Sequence, residues 1–341
     1  MKILLVAAFG RNEAESYEYY NFYLTLKSIT ESVEKFDFLK IFNESGRFKM
    51  NNALLDKVKE YRPDIVIFVP HTNQFIPEIV DEINKYSKTL GYFFDDIWRR
   101  KYSNFWAEHF NFVTTSDVHG VKRFRDAGHK NAIFSPFACN TGFFTKKDLP
   151  KTIDVSFVGQ FHPFRAWCLR QIEKSGINVM IRGAGWNNGP VEYIEMIDIF
   201  NKSKINLNLS NSVSWDIRYL MGINRPVTET LKAWRNTAYV FIKNDHKIHE
   251  QVKGRHFEIS SCGGFQLSYY VEGLEKLYDI SNEIAIYDST DKMIEKIHYY
   301  LKHEDEREEI AFRGYQRTLR DHDMKQRFIE IFDAIKLDST Q

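Results

Sequence analysis

Short apolar runs alternate with longer amphipathic segments along nearly the whole chain. In the first half, residues 3–8, 38–42, 65–69 and 89–94 are predicted strands, with amphipathic helical segments between them. Strands that are separated by helices usually pair in parallel, with the helices covering both faces of the sheet. The alternation therefore predicts the α/β class, with doubly wound, mainly parallel sheets.

A polar connector that contains a proline, residues 145–151, interrupts the alternation near the middle of the chain, and the pattern then restarts. A length of 341 residues favours two domains over one. We predict a first domain of residues 1–148 and a second of residues 149–321, with a cleft between them. Ligands of open parallel sheets bind beyond the carboxyl ends of the strands, so the cleft is the expected site. The aromatic-rich stretch 212–251 gives no readable pattern.

Charge and cysteine content exclude several classes of protein. The 47 Lys and Arg residues nearly balance the 46 Asp and Glu residues, which leaves no basic field to attract nucleic acid. Cys139, Cys168 and Cys262 are an odd, widely spaced set, which argues against a disulfide framework or a CxxC metal site. The first apolar run is shorter than a signal-peptide core, and no run is long enough to span a membrane. A cytoplasmic location is expected, and peripheral contact with the inner face of the membrane stays open.

The segment KGRHFEISSCGGF, residues 253–265, carries the densest set of candidate binding groups. Lys253 and Arg255 stand where a helix is predicted to begin, and a helix N-terminus with added cations suits a phosphate or diphosphate. Glu258, one turn further on, can accept hydrogen bonds from a sugar hydroxyl. Phosphate and hydroxyl recognition together fit a nucleotide sugar, although an ordinary surface helix followed by a glycine turn explains the same spacing.

Five segments of the second half occur in the order of a known family. They are FVGQFHPFR, IRGAGW, SKINLNLS, KGRHFEISSCGGFQLSYYVEGLEKLY and EIAIYDSTDKMIEKIHYYLKHEDEREEIAFRGYQRTLRDH. In these motifs the chain resembles the glycosyltransferases related to spore maturation protein B, which have a glycosyltransferase group 1-like C-terminal domain. The resemblance implies the GT-B architecture, in which two Rossmann-like domains flank a cleft and the C-terminal domain holds the donor. It also implies that the last helix, residues 322–338, joins the first domain.

The same resemblance implies roles for residues of the second domain. Glu258 matches the carboxylate that binds the donor ribose, and Glu250 completes the E-x7-E spacing of many retaining GT-B enzymes, where coincidence is the alternative. Trp186 stands where the base of the donor stacks, or fills the core instead. The remaining implied donor contacts, to the diphosphate or through close backbone approach, are Lys253, Arg255, Gly159, Arg165, Gly263 and Gly264. For Arg165, a solvated helix residue is the alternative.

In GT-B enzymes the first domain supplies the acceptor side, so its polar residues at strand ends are the candidates for catalysis. His71 follows the predicted strand 65–69, and Asp95 and Asp96 follow the predicted strand 89–94. A general base near the acceptor hydroxyl is the expected role in an inverting enzyme. Helix capping by the two aspartates and a structural role for His71 are the alternatives. We predict no metal, because Lys, Arg and a helix dipole balance the diphosphate charge in this group.

The residues and the resemblance together predict a GT-B glycosyltransferase of polysaccharide biosynthesis. It would move a sugar from a nucleotide-diphosphate donor to a hydroxyl of a glycan, a lipid-linked glycan or a surface-polymer precursor, with no other cofactor and no nucleic-acid partner. A non-hydrolysing nucleotide-sugar epimerase and a non-catalytic nucleotide-sugar-binding protein are the alternatives. The donor base and sugar, the acceptor, the stereochemical outcome and the oligomeric state are not predicted.

Overall fold

The computed structural model describes residues 1–10, 16–210, 216–223, 226–242 and 250–337. The chain divides into two compact units. The first unit consists of Met1–Asn140 together with residues from Asp323 onward, and the second unit is Thr141–His322.

The first unit is built on a six-stranded parallel sheet with the order β2-β1-β3-β4-β5-β6. Its strands are β1 Ile3–Ala7, β2 Val33–Asp37, β3 Ile65–Phe68, β4 Lys88–Tyr92, β5 Phe112–Thr115 and β6 Ala132–Phe134. Its helices are a π-helix at Glu18–Tyr23, α1 Leu24–Ile29, α2 Phe38–Tyr61, α3 Pro77–Ile83, α4 Arg100–Ala107, α5 Gly120–Asp126 and the C-terminal helix Met324–Leu337.

The strand β1 shows why this sheet is buried on both faces. Ile3 and Leu5 pack into one apolar cluster, which includes Phe328 of the C-terminal helix. Leu4 and Val6 point to the opposite face and pack into a second cluster. Successive side chains of a strand alternate between faces, so an unbroken apolar strand requires a core on each side.

The prediction of a strand at residues 38–42 was wrong. The strand β2 ends at Asp37, and α2 begins directly at Phe38. The Asp37 side chain accepts a hydrogen bond from the amide of Lys40 at 3.0 Å and so caps the new helix.

The second unit contains a five-stranded parallel sheet with the order β11-β10-β9-β7-β8. Its strands are β7 Ile153–Val158, β8 Val179–Arg182, β9 Ser203–Asn208, β10 Gln266–Tyr269 and β11 Ala285–Tyr287. Its helices are α6 Pro163–Lys174, α7 Tyr193–Lys202, α8 Ile217–Leu220, α9 Val227–Ile242, α10 Arg255–Ser261, a 3₁₀ turn at Leu274–Lys276, α11 Thr290–Lys302 and α12 Glu304–Asp321. The predicted α/β class, with two doubly wound parallel sheets, is confirmed.

Main-chain groups of Phe144 and Lys147 and the Lys147 side chain hold the connector region in the second unit. The amide of Lys147 donates to Asn201 Oδ1 at 2.6 Å, and its ammonium group pairs with Asp198. The carbonyl of Phe144 accepts a hydrogen bond from Ser261 Oγ at 2.5 Å. The chain therefore passes into the second unit after Asn140, whereas the domain boundary predicted from the sequence is after residue 148.

The C-terminal helix packs in the first unit. The amide of Met324 donates to the carbonyl of Cys139 at 2.8 Å, and the ring of Phe328 lies 5.2 Å from that of Phe22. Among the helices of the described ranges, none combines the length and the apolar character needed to cross a membrane.

Candidate functional site

In the second unit, the loops after β7 and β8 meet main chain to main chain. The amide of Gly159 donates to the carbonyl of Arg182 at 3.0 Å, and the amide of Phe161 donates to that of Ala184 at 2.8 Å. Gly183 has a φ of +141°, and a Cβ there would lie 2.1 Å from the carbonyl oxygen of Gly159. These glycines allow the two loops to touch at the carboxyl edge of the sheet.

Trp186 closes this loop pair. Its indole Nε1 donates to the carbonyl of Gly159 at 2.8 Å, and its ring makes an edge contact with Phe161 at 4.9 Å. The side chain is partly buried against the core of the second unit. These contacts agree with the core-filling alternative, and stacking on a base stays a prediction.

Arg165 and Glu250 influence each other electrostatically at the start of α6. Burial lowers the pKa of the Arg165 guanidinium, the negative charge of Glu250 opposes this fall, and the positive charge of Arg255 adds to it. One guanidinium nitrogen of Arg165 donates to the carbonyl of Gln160 at 2.9 Å. Two predicted donor-binding residues, Glu250 and Arg255, therefore lie close enough to Arg165 to change its pKa.

The helix α10 begins at Arg255, and Gly254 is its N-cap. Lys253 therefore precedes the helix, and its side chain is half-buried. The Arg255 guanidinium contacts the carboxylate of Glu258 and lies 2.8 Å from the sulfur of Met196 on α7. The Glu258 side chain is only 3% exposed. Two predicted donor-binding residues are thus ion-paired with each other in a largely buried position.

The turn after α10 depends on both glycines. Gly263 has a φ of +67°, which favours glycine. Gly264 packs closely inside the unit, because a Cβ there would lie 2.7 Å from the side-chain nitrogen Nδ2 of Asn206. The space beside Gly264 is thus occupied by β9, and backbone approach to a donor at either glycine stays a prediction.

In the first unit, the three predicted catalytic residues line one cavity. The cavity has a volume of about 220 Å³ and lies beyond the carboxyl ends of β3 and β4. Besides His71, Asp95 and Asp96, the residues that line it are Glu18, Val69, Pro70, Phe93, Phe94, Arg99, Tyr102 and Ser103.

Asp96 is the most buried acid of this cavity. Its carboxylate accepts hydrogen bonds from Thr115 Oγ1 at 2.5 Å and from the Ser116 amide at 3.4 Å, and it pairs with Arg123 at 2.8 Å. Burial raises its pKa to about 6, against the lowering effects of Thr115 and Arg123. With so many of its lone pairs engaged, Asp96 is better placed to support its neighbours than to take a proton from a substrate.

His71 carries a neutral imidazole at physiological pH. Burial lowers the pKa of His71, and the nearby positive charge of Arg99 lowers it further. The carbonyl of His71 accepts a hydrogen bond from the Arg99 guanidinium, and its ring makes an edge contact with Phe38 at 5.4 Å. A neutral imidazole at a cavity wall is available as a proton acceptor.

Sequence reasoning missed Glu18, Arg99 and Tyr102 as cavity residues. Glu18 opens the π-helix, a rare conformation that is frequent at functional sites, and burial raises the pKa of its carboxyl group. The Arg99 guanidinium lies 3.9 Å from the centre of the Tyr102 ring. Of these three residues, only Arg99 could have been suspected from the sequence, because it is a cation four residues after Asp95.

The strand β4 ends at Tyr92, so both aspartates lie in the following turn. The next helix, α4, starts at Arg100 and has no side-chain cap, so neither aspartate caps it. Within the described ranges, no group of three or more His, Cys, Asp or Glu side chains is arranged to hold a metal ion.

Residues 165–333 match the model of a family that is described as glycosyl transferase-like. The match contains α10 and its charged residues, and it does not single out the spore maturation protein B-like subgroup. No curated protein sequence matches the chain significantly.

Solved structures of similar fold cover the whole chain. Sucrose-phosphate synthase from Thermosynechococcus elongatus has a TM-score of 0.67 at 9% identity and covers 100% of both chains. HepE from Anabaena, in complex with UDP-glucose, has a TM-score of 0.64 at 9% identity over 98% of this chain and 99% of HepE. A glycosyltransferase from Rickettsia africae has a TM-score of 0.63 at 11% identity over 98% and 99% of the two chains. The chain has the GT-B fold.

Proposed function

We propose that this chain is a glycosyltransferase that moves a sugar from a nucleotide-diphosphate donor to a hydroxyl group of a glycan, a lipid-linked glycan or a surface-polymer precursor. The observation that carries the proposal is the ion pair between the partly exposed Arg255 and the buried Glu258 on α10, inside the segment that matches the glycosyl transferase-like family. A carboxylate kept in place by a neighbouring guanidinium is ready to accept hydrogen bonds from the ribose hydroxyls.

The charges around α10 suit the diphosphate of such a donor. Lys253, Arg255 and Arg165 are the proposed cations, and Arg165 and Arg255 affect each other electrostatically. Fixed positive charge stabilises the departing diphosphate, which gains negative charge as the sugar leaves. The HepE structure with UDP-glucose makes a UDP-sugar the first donor to test.

The cavity of the first unit is the proposed acceptor side. His71 and Asp95 are the proposed proton acceptors, and Asp96 supports them from its buried position. The proposed step forms a bond between the acceptor oxygen and the anomeric carbon, breaks the bond from that carbon to the diphosphate, and leaves the hydroxyl proton on the enzyme or solvent.

The first test is nucleotide binding, measured by thermal unfolding with UDP, GDP, ADP, CMP and dTDP and their common sugars. A ligand that binds only the folded protein stabilises it by about 2.7 kcal/mol at a hundredfold excess over Kd. A shift with one nucleotide class supports the proposal and identifies the base. The absence of any shift contradicts it, and binding without any transfer or hydrolysis of the sugar indicates a non-catalytic binding protein.

Glu258→Gln tests the ribose assignment directly. Loss of a charge-assisted hydrogen bond should cost about 1.5–3 kcal/mol of nucleotide binding free energy, which is at least a tenfold loss of affinity. The control is Glu173→Gln, at an exposed position near the end of α6, which should leave affinity unchanged. Equal affinity of the two variants in calorimetry would show that Glu258 does not bind the ribose.

A further inference from the structure

His256 is the second residue of α10, and its side chain is completely buried. Its ring Nδ1 is 3.1 Å from the amide nitrogen of Lys253 and 3.0 Å from the carbonyl oxygen of the same residue. Its Nε2 is 3.0 Å from Ser268 Oγ on β10. The imidazole therefore joins the residue before α10 to β10 of the sheet.

Either neutral form of the ring keeps a hydrogen bond to the main chain of Lys253. With the proton on Nε2, Ser268 Oγ accepts from Nε2–H and Nδ1 accepts from the Lys253 amide. With the proton on Nδ1, that nitrogen donates to the Lys253 carbonyl and Nε2 accepts from the Ser268 hydroxyl.

The main chain of His256 is held as firmly as its ring. Its carbonyl oxygen accepts a hydrogen bond from Gln266 Nε2 at 2.7 Å, and the Tyr278 hydroxyl lies 3.4 Å away. Tyr278 in turn contacts Thr318 Oγ1 on α12 at 2.8 Å. With its own backbone fixed on β10 and α12, the imidazole is a rigid support for Lys253.

A buried imidazole is a costly way to fill this space, because an apolar residue of similar size needs no partners. What the imidazole adds is a fixed polar contact with the main chain of one residue, Lys253. We infer that His256 is a positioning residue of the donor site: it fixes the backbone of Lys253, and through it the direction of the ammonium group toward a nucleoside diphosphate. The inference rests on the proposed function.

The test measures UDP affinity by calorimetry, alongside Tm, in variants that separate the two ends of the ring. His256→Asn keeps a hydrogen-bonding atom near the Nδ1 position and should retain UDP affinity. His256→Gln places its amide near the Nε2 position, keeps the Ser268 contact and releases Lys253. It should bind UDP about three- to tenfold more weakly, the effect of one lost hydrogen bond. Ser268→Ala removes the other partner and should lower Tm without changing UDP affinity.

A purely structural histidine gives a different pattern, in which UDP affinity falls with Tm in every variant. That result overturns the inference. If His256→Gln does not fold, the other two variants decide. Unchanged UDP affinity in both His256→Asn and Ser268→Ala supports the positioning role, and a parallel fall of affinity and Tm in both rejects it.

Lys253→Ala completes a double-mutant cycle. If His256 acts through the Lys253 ammonium, His256→Gln has no further effect on UDP affinity once that ammonium is absent. Additive losses overturn the inference. A wild-type protein that binds none of the five nucleotides overturns the proposed function and this inference together, whereas UDP binding that follows Tm overturns the inference alone.

Discussion

The two units assemble their candidate residues in different ways. In the second unit, four of the five charged candidates, Glu250, Lys253, Arg255 and Glu258, come from one short stretch of chain that leads into α10, and Arg165 on α6 is the fifth. In the first unit, the cavity collects residues from the π-helix, from the loop after β3 and from the turn after β4. A site made from one stretch can change its ligand contacts with little effect on the fold. A site made from several elements depends on the contacts that hold those elements together.

The largest expected effect is at Asp96, where that dependence is greatest. Asp96→Ala leaves Arg123 largely buried with one carboxylate fewer, since Asp117 is its remaining partner. Breaking a buried ion pair should lower the free energy of unfolding by about 3 kcal/mol in urea titrations. Asp95→Ala, at a more exposed position, is the control and should cost less than about 1 kcal/mol. Normal stability with lost turnover in Asp96→Ala would instead assign Asp96 to catalysis.

A substitution at Gly183 tests whether the stability of the second unit depends on one contact outside α10, as the stability of the first unit is expected to depend on Asp96. In Gly183→Ala, the new Cβ meets the carbonyl oxygen of Gly159 and the loops after β7 and β8 must separate. The expected loss is about 2–3 kcal/mol of unfolding free energy. Gly189→Ala is the matched control, because Gly189 has a φ of +70° but open space around it, so only about 1 kcal/mol of backbone strain is expected. Equal losses in the two variants would rule out the loop contact as the cause.

Acid should affect the two units with opposite sign. The pKa of His256 is lowered to about 4, mainly by burial; the hydrogen bond to the Lys253 main chain opposes this fall, and the Lys253 charge adds to it. The unfolded chain therefore binds this proton first, and the second unit loses up to about 1.4 kcal/mol per pH unit as the pH falls from 6.5 toward 4. His256→Gln should flatten this slope in pH-dependent unfolding, while His298→Gln, on the exposed face of α11, should not.

The Asp96 carboxyl group contributes the reverse slope in the first unit. Its pKa is raised from 3.8 to about 6, so its contribution to stability is complete below pH 3.8 and is lost as the pH rises through 6. Asp96→Asn should remove this contribution. If His256→Gln and Asp96→Asn change the pH dependence of stability in the same direction, the direction of the pKa shift is wrong for one of the two groups.

The smallest expected effect on stability is at Glu18. Burial raises the pKa of Glu18, so the folded protein favours its neutral form, and Glu18→Gln should raise the free energy of unfolding by less than about 1 kcal/mol. If Glu18 also contacts the acceptor, the same variant lowers turnover or raises the acceptor KM, and Glu18→Asp restores part of the loss. Unchanged kinetics would show that Glu18 does not contact the acceptor, and the proposed acceptor site would then consist of the cavity residues after β3 and β4.

The sequence predicted the parts of the molecule that depend on local pattern. The apolar runs at residues 3–8, 65–69 and 89–94 located β1, β3 and β4, whereas β2 was missed because the helix that follows it begins without a break at Phe38. Lys253, Arg255 and Glu258 could be grouped as candidates because they are close together in sequence, at and just before the start of α10.

The parts that escaped prediction depend on partners far away in sequence. Asp96 is buried because Arg123 and Thr115 reach it from the next strand and helix. His256 looked like an ordinary helical residue because its partner Ser268 lies beyond the Gly263–Gly264 turn, on a separate strand. Glu18 joined the cavity through a π-helix, a conformation for which sequence has no dependable pattern.

The packing of the C-terminal helix sets the order in which the protein can be completed during synthesis. Domains usually fold in the order in which the ribosome releases them, the N-terminal one first. Here the helix Met324–Leu337 supplies part of the core behind Ile3 and Leu5, yet it is translated after the whole of the second unit. The first unit therefore finishes after the second, and one apolar face of its sheet stays uncovered by this helix until the whole second unit has been translated.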